Sequence, residues 1–66
     1  MLTEEKLFRH FQDKGMLDGL KNPLVEKFRY ACEKAVLENP GLDFGNLVKV
    51  CGFYLNTLKE YPECNL

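Results

Sequence analysis

The sequence contains no serine and no isoleucine. The first absence excludes a serine nucleophile, and neither Thr3 nor Thr57 has a base at a spacing that would activate its hydroxyl. The second absence, together with few valines and no alternation of apolar and polar residues, argues against β-strands. We therefore expect neither a serine-dependent enzyme nor a sheet.

The chain also lacks an excess of charge of either sign. Nine Lys and Arg residues stand against ten Asp and Glu residues, which gives a formal net charge of −1. Proteins that bind nucleic acid usually carry a clear basic excess on one face. The composition therefore disfavours a nucleic-acid partner.

No apolar run approaches the roughly 18 to 20 residues that a membrane-spanning helix needs. The opening residues, MLTEEKLFRHF, have two glutamates where a signal peptide would carry basic residues, and no signal-peptide core follows. These features predict an intracellular, cytoplasmic protein without a membrane partner.

Cysteine is scarce and odd in number, at Cys32, Cys51 and Cys64. Small secreted scaffolds usually carry an even set of cysteines, so we expect reduced thiols. Neither a C-x-x-C nor an H-x-x-H pair occurs, and His10 is the single histidine. We expect no enzymatic activity, no metal and no cofactor, while a thiol- or metal-dependent function of the three cysteines stays as an alternative.

What the sequence does contain is three helical segments separated by turn-forming residues. We expect one all-α domain over residues 1–66, a compact three-helix bundle with short connections. The predicted helices span about residues 4–14, 23–38 and 44–60, and a short extra turn is possible near residues 16–20.

Capping residues mark the ends of these helices. Thr3 can cap the first helix, and Gly15 is a usual stop signal. Asn22 followed by Pro23 predicts the start of the second helix, because Asn caps and Pro loses no hydrogen bond at the first helical position. Asp43 is the predicted cap of the third helix.

The third helix carries more apolar residues than an ordinary surface helix needs. At about 100° per residue they fill an arc of roughly 160°, wider than the roughly 100° stripe of a surface helix. The arc comprises Phe44, Leu47, Val48, Val50, Cys51, Tyr54, Leu55, Leu58 and Tyr61. Phe53 falls almost opposite the centre of this arc, and Tyr30 and Leu37 fall away from the main apolar stripe of the second helix.

Two interpretations compete for this surplus. In the first, the third helix is the central one and the remaining apolar residues are scattered surface residues, which are normal. In the second, the surplus packs against another polypeptide. Gly52 favours the second, because glycine costs about 1 kcal/mol relative to alanine in a helix interior and permits close approach.

We therefore expect a small, non-enzymatic protein–protein interaction module: a regulator, inhibitor or assembly factor that presents an apolar helix face. Its partner is a different protein, a second copy in a homodimer, or both. The predicted partner-binding residues are Phe53, Tyr30, Leu37, Tyr54, Tyr61 and Gly52.

A helix-turn-helix protein that binds nucleic acid is the main alternative. The connection NPGLD would act as the turn, and the third helix would enter the major groove. A recognition helix needs exposed polar and basic residues in its first turns, whereas this helix opens FGNLVKVCGFY with a single lysine.

Overall fold

The computed structural model of the chain describes residues 4–62 and confirms an all-α three-helix bundle. Helix α1 spans Glu4–Asp13, α2 spans Asn22–Glu38 and α3 spans Phe44–Glu60. Within the described residues there is no strand. The predicted cap at Thr3 and the thiol of Cys64 lie outside this range.

Helix α1 ends at Asp13, one residue earlier than expected, and the predicted stop residue, Gly15, lies just beyond its end. Gly15 has a φ of +71°, a left-handed conformation that glycine adopts without steric cost. Its N–H donates to Gln12 O and the N–H of Met16 donates to Phe11 O, both at 3.0 Å. These two bonds form a Schellman motif, which satisfies carbonyl groups at the end of the helix.

The segment after α1 turns repeatedly without forming a helix. The N–H of Asp18 donates to Gly15 O at 3.3 Å, and the N–H of Leu20 donates to Leu17 O at 3.1 Å. The extra turn expected near residues 16–20 is therefore present as consecutive turns. Apolar residues of this segment are partly buried against the core: Met16, Leu17 and Leu20.

The predicted start of α2 is wrong by one residue. Lys21 is the N-cap and no side chain caps the helix; Asn22, the expected cap, is its first residue. The first turn closes when the N–H groups of Leu24 and Val25 both donate to Lys21 O. Pro23 is tolerated because the first N–H groups of a helix have no partner within it.

Helix α3 begins as predicted, with Asp43 as its cap. Asp43 Oδ1 accepts a hydrogen bond from the backbone N–H of Asn46 at 2.9 Å. This bond satisfies one of the free donors at the helix start, and the carboxylate also suits the positive end of the helix dipole. The predicted bounds of α3 are confirmed.

The core lies where the three apolar stripes meet. Phe28 of α2 is central to it: its ring contacts Phe11 edge to face with centroids 5.0 Å apart, and Phe8 at 6.1 Å. The buried apolar residues are Leu7, Phe8, Phe11, Leu24, Phe28, Cys32, Leu47, Cys51, Leu55 and Leu58.

Helix α2, rather than α3, packs most extensively against both other helices, and α1 and α3 contact each other least. A central position therefore does not account for the wide apolar arc of α3. The sparse contact between α1 and α3 also leaves a gap between these two helices on the bundle surface.

Candidate protein-interaction surface

Several large apolar side chains are exposed on the described part of the chain. Phe53 is 75% exposed, Leu37 71%, Tyr30 60% and Tyr61 58%, and Val50 is also exposed. The sequence predicted that Phe53, Tyr30 and Leu37 would lie away from the core, and their exposure confirms this position. Their role in binding stays a prediction.

Two of the predicted binding residues are less accessible. Tyr54 is half-buried and packs against the core, so only part of its ring is available to a partner. Gly52 is also half-buried, and a Cβ built on it would lie 3.9 Å from Cε1 of Phe11. That distance is an ordinary van der Waals contact, so the packing of α1 does not itself require glycine here.

The exposed residues fall on different sides of the bundle. On α3, Val50, Tyr54 and Tyr61 follow one another at spacings of four and seven and so share a stripe. That stripe lies about 80° around the helix from Phe53, on the flank that faces away from α1.

On α2, Tyr30 and Leu37 occupy the side opposite the buried Phe28, with Glu26 and Lys34 one turn before and after Tyr30. Lys34 Nζ stands 5.7 Å from the centroid of the Tyr30 ring, a cation–π contact. We call this surface the α2 outer face and define it as Glu26, Tyr30, Lys34 and Leu37.

Phe53 borders a groove between α1 and α3. The groove has a volume of about 610 Å³, is open to solvent and is mostly apolar. We call it the α1–α3 groove, and its lining residues are His10, Phe11, Lys14, Met16, Val48, Lys49, Gly52, Phe53 and Asn56. Gly52 and Phe53, predicted as partner-binding residues from α3 alone, are thus brought together with residues of α1 and of the following turns.

The charge of this groove has one sign. Lys14 and Lys49 are exposed, neither takes part in an ion pair or cation–π contact within the described residues, and no carboxylate lines the groove. The neighbouring cleft near the start of α3 differs, because Glu5 and Asp13 line it together with basic residues. The two lysines are therefore the features that sequence reasoning missed, since only the fold brings them to one groove.

His10 separates the groove from this cleft. Its ring meets Phe11 and Phe44 edge to face, with centroids 5.4 Å apart in each case. The contact with Phe44 joins α1 to the start of α3.

The two described cysteines lie in the core and face each other. Cys32 of α2 and Cys51 of α3 are buried, free thiols joined by a hydrogen bond. That hydrogen bond and burial raise the pKa of the Cys32 thiol above its ordinary value, whereas the same hydrogen bond lowers the pKa of the Cys51 thiol. Both sulfurs are buried, and burial is what keeps reagents from either of them. Residues 4–62 contain no cluster of side chains that could hold a metal ion.

The sequence and lengths of the helices bear on binding to nucleic acid and on crossing a membrane. On α3, the basic residues within the described range are Lys49 and Lys59, and Phe44 in its first turn packs against the core. Helix α3 therefore has few polar and basic side chains that could contact base edges in a DNA groove. Across residues 4–62, every helix is too short or too polar to cross a membrane.

Comparison with known proteins assigns the chain to no family. No protein-family model matches the chain, and searches of curated proteins and of solved structures return no significant match.

Proposed function

We propose that this chain is a small, non-enzymatic protein–protein interaction module, acting as a regulator, inhibitor or assembly factor, and that it self-associates. The observation that supports this proposal is the exposure of Tyr30, Leu37 and Phe53. Each is more than half exposed, although the bundle has a buried core without them.

Covering these apolar side chains with another chain would be energetically favourable. Fully burying one Phe or Leu side chain is worth roughly 1.5 to 3 kcal/mol. A domain of this length buries a modest core, and its stability should be near the lower end of the usual range of about 5 to 15 kcal/mol. Association through two or three such residues would therefore add substantially to the stability of the fold.

The α2 outer face suits a second copy of the same chain. If two α2 helices pack antiparallel with Tyr30 at the two-fold axis, the residue four positions after Tyr30 lies opposite the residue four positions before it. Lys34 of one copy then lies opposite Glu26 of the other, on both sides of the axis. A two-fold dimer requires such a self-complementary surface, and it is the commonest form of homo-oligomer.

Light scattering across a dilution series tests self-association. We expect a dimer at high concentration that dissociates on dilution, and a dissociation constant about tenfold higher or more in Tyr30→Ser and Leu37→Ser. Phe53→Ser is the matched control, because Phe53 is also more than half exposed but lies on the α1–α3 groove.

Exchanging the charges of Lys34 and Glu26 tests the predicted contact between the two copies directly. Lys34→Glu should weaken the dimer, because it places two acidic groups opposite each other, and Glu26→Lys added to it should restore the dimer. A wild-type protein that stays monomeric at every concentration would refute self-association. A dimer that dissociates in Phe53→Ser but not in Tyr30→Ser would move the self-interface to the groove.

A further inference from the structure

We infer that the α1–α3 groove binds an acidic, amphipathic helix of a different protein. This inference rests on the proposed function as an interaction module and names a second partner and a second surface. The bound helix would lie along α1 and α3 as a fourth helix of the bundle.

The shape of the groove favours a helical segment. It is open to solvent and lies between the two helices that contact each other least. The groove is lined by apolar residues from α1, from α3 and from the turns after α1: Phe11, Met16, Val48, Gly52 and Phe53. An amphipathic helix commonly binds such a groove through apolar residues at positions i, i+3, i+4 and i+7.

Gly52 keeps the groove open at the surface of α3. A side chain at this position would project toward Phe11 and occupy part of the space between the helices. A partner backbone can therefore approach α3 more closely at Gly52 than it could at a larger residue.

The charges select the chemistry of the partner. Lys14 and Lys49 line the groove, and no carboxylate is among its lining residues. A second copy using the same groove would bring these lysines toward each other, and like charges opposed across an interface are unfavourable. A helix with Glu or Asp next to its apolar stripe would instead pair with both ammonium groups.

A displayed library of helical peptides tests this inference with the whole folded chain as bait. The library has leucine fixed along one face and Glu, Lys, Gln or Ala varied at the positions that flank it. We expect Glu to be enriched over Lys by about tenfold at the flanking positions.

Variants of the bait assign the selected peptides to the groove. The pair Lys14→Glu and Lys49→Glu should reverse the preference from Glu to Lys, and Phe53→Ser should weaken a selected peptide by about tenfold. Leu37→Ser is the control, since Leu37 is similarly exposed but lies on the α2 outer face. Circular dichroism establishes that each variant keeps its helices.

Three outcomes would overturn the inference: no enrichment on the wild type over Phe53→Ser, equal enrichment of Glu and Lys, or a preference that the charge reversal leaves unchanged. The result is separable from the test of self-association. A monomer that selects acidic peptides supports the groove and refutes the dimer, whereas a dimer that selects none does the reverse.

Discussion

The ring of Phe11 on α1 lies against Gly52 on α3, with Cε1 3.9 Å from the position that a Cβ on Gly52 would take. A methyl group therefore fits at Gly52 without displacing the ring. Glycine in a helix interior costs about 1 kcal/mol relative to alanine, so its presence here destabilises α3 without any packing need inside the bundle.

We expect Gly52→Ala to raise the free energy of unfolding by about 1 kcal/mol, measured by urea denaturation followed by circular dichroism. The same methyl group narrows the α1–α3 groove, so the variant should bind a groove-selected peptide more weakly although it is more stable. Such opposite effects on stability and binding distinguish a glycine kept for a partner from one that is merely tolerated.

Gly15→Ala is the matched substitution for this prediction. Gly15 has a φ of +71°, and a Cβ there would also lie 3.2 Å from Oδ2 of Asp18. A left-handed conformation costs a residue with a side chain about 1 to 2 kcal/mol, so this variant should lose stability by that amount. If Gly52→Ala is instead as destabilising as Gly15→Ala, Phe11 packs more tightly than the contact distance indicates.

The cap of α3 gives a second prediction. Removing the carboxylate in Asp43→Ala deletes the hydrogen bond to Asn46 N and should lower the free energy of unfolding by about 1 kcal/mol. Asn46→Ala is the control, because the bond uses the backbone N–H, which alanine retains. Equal losses in the two variants would contradict the assignment of the cap.

Much of the fold follows from local sequence, since a cap or a stop depends on only a few neighbouring residues. Asp43 caps α3 and Gly15 ends α1 for reasons that the sequence contains. The spacing of Phe53 along α3 likewise predicts its exposure. Asn22 is the exception, because the chain enters α2 with Lys21 at the cap position.

The groove does not follow from local sequence. Phe8 and Phe11 of α1 both pack against Phe28 of α2. Helix α1 therefore packs mainly on α2, and α1 and α3 are the least closely packed pair of helices. Lys14 and Lys49 are far apart in sequence, and each taken alone is an ordinary surface lysine. Their common position beside Phe53 is a product of tertiary packing, so spacing along one helix cannot predict it.

The third prediction concerns Cys32 and Cys51, which a thiol-dependent function would need to expose. Both are buried and hydrogen-bonded to each other, and that bond raises the pKa of the Cys32 thiol but lowers the pKa of the Cys51 thiol. Because neither sulfur is accessible to a reagent in the folded protein, labelling by a thiol reagent should require the bundle to open. We expect labelling to be about five-thousandfold slower in buffer than in denaturing urea if the domain is stable by about 5 kcal/mol.

Cys64→Ser is the background for this experiment, so that the two core thiols alone are counted. Gly15→Ala in the same background should speed their labelling, since a less stable bundle opens more often. Rapid labelling of either thiol in the folded protein would favour a thiol-dependent function over an interaction module. Slow labelling that follows global stability would instead assign both cysteines to the core, because a thiol that reacts only after unfolding cannot serve the folded protein.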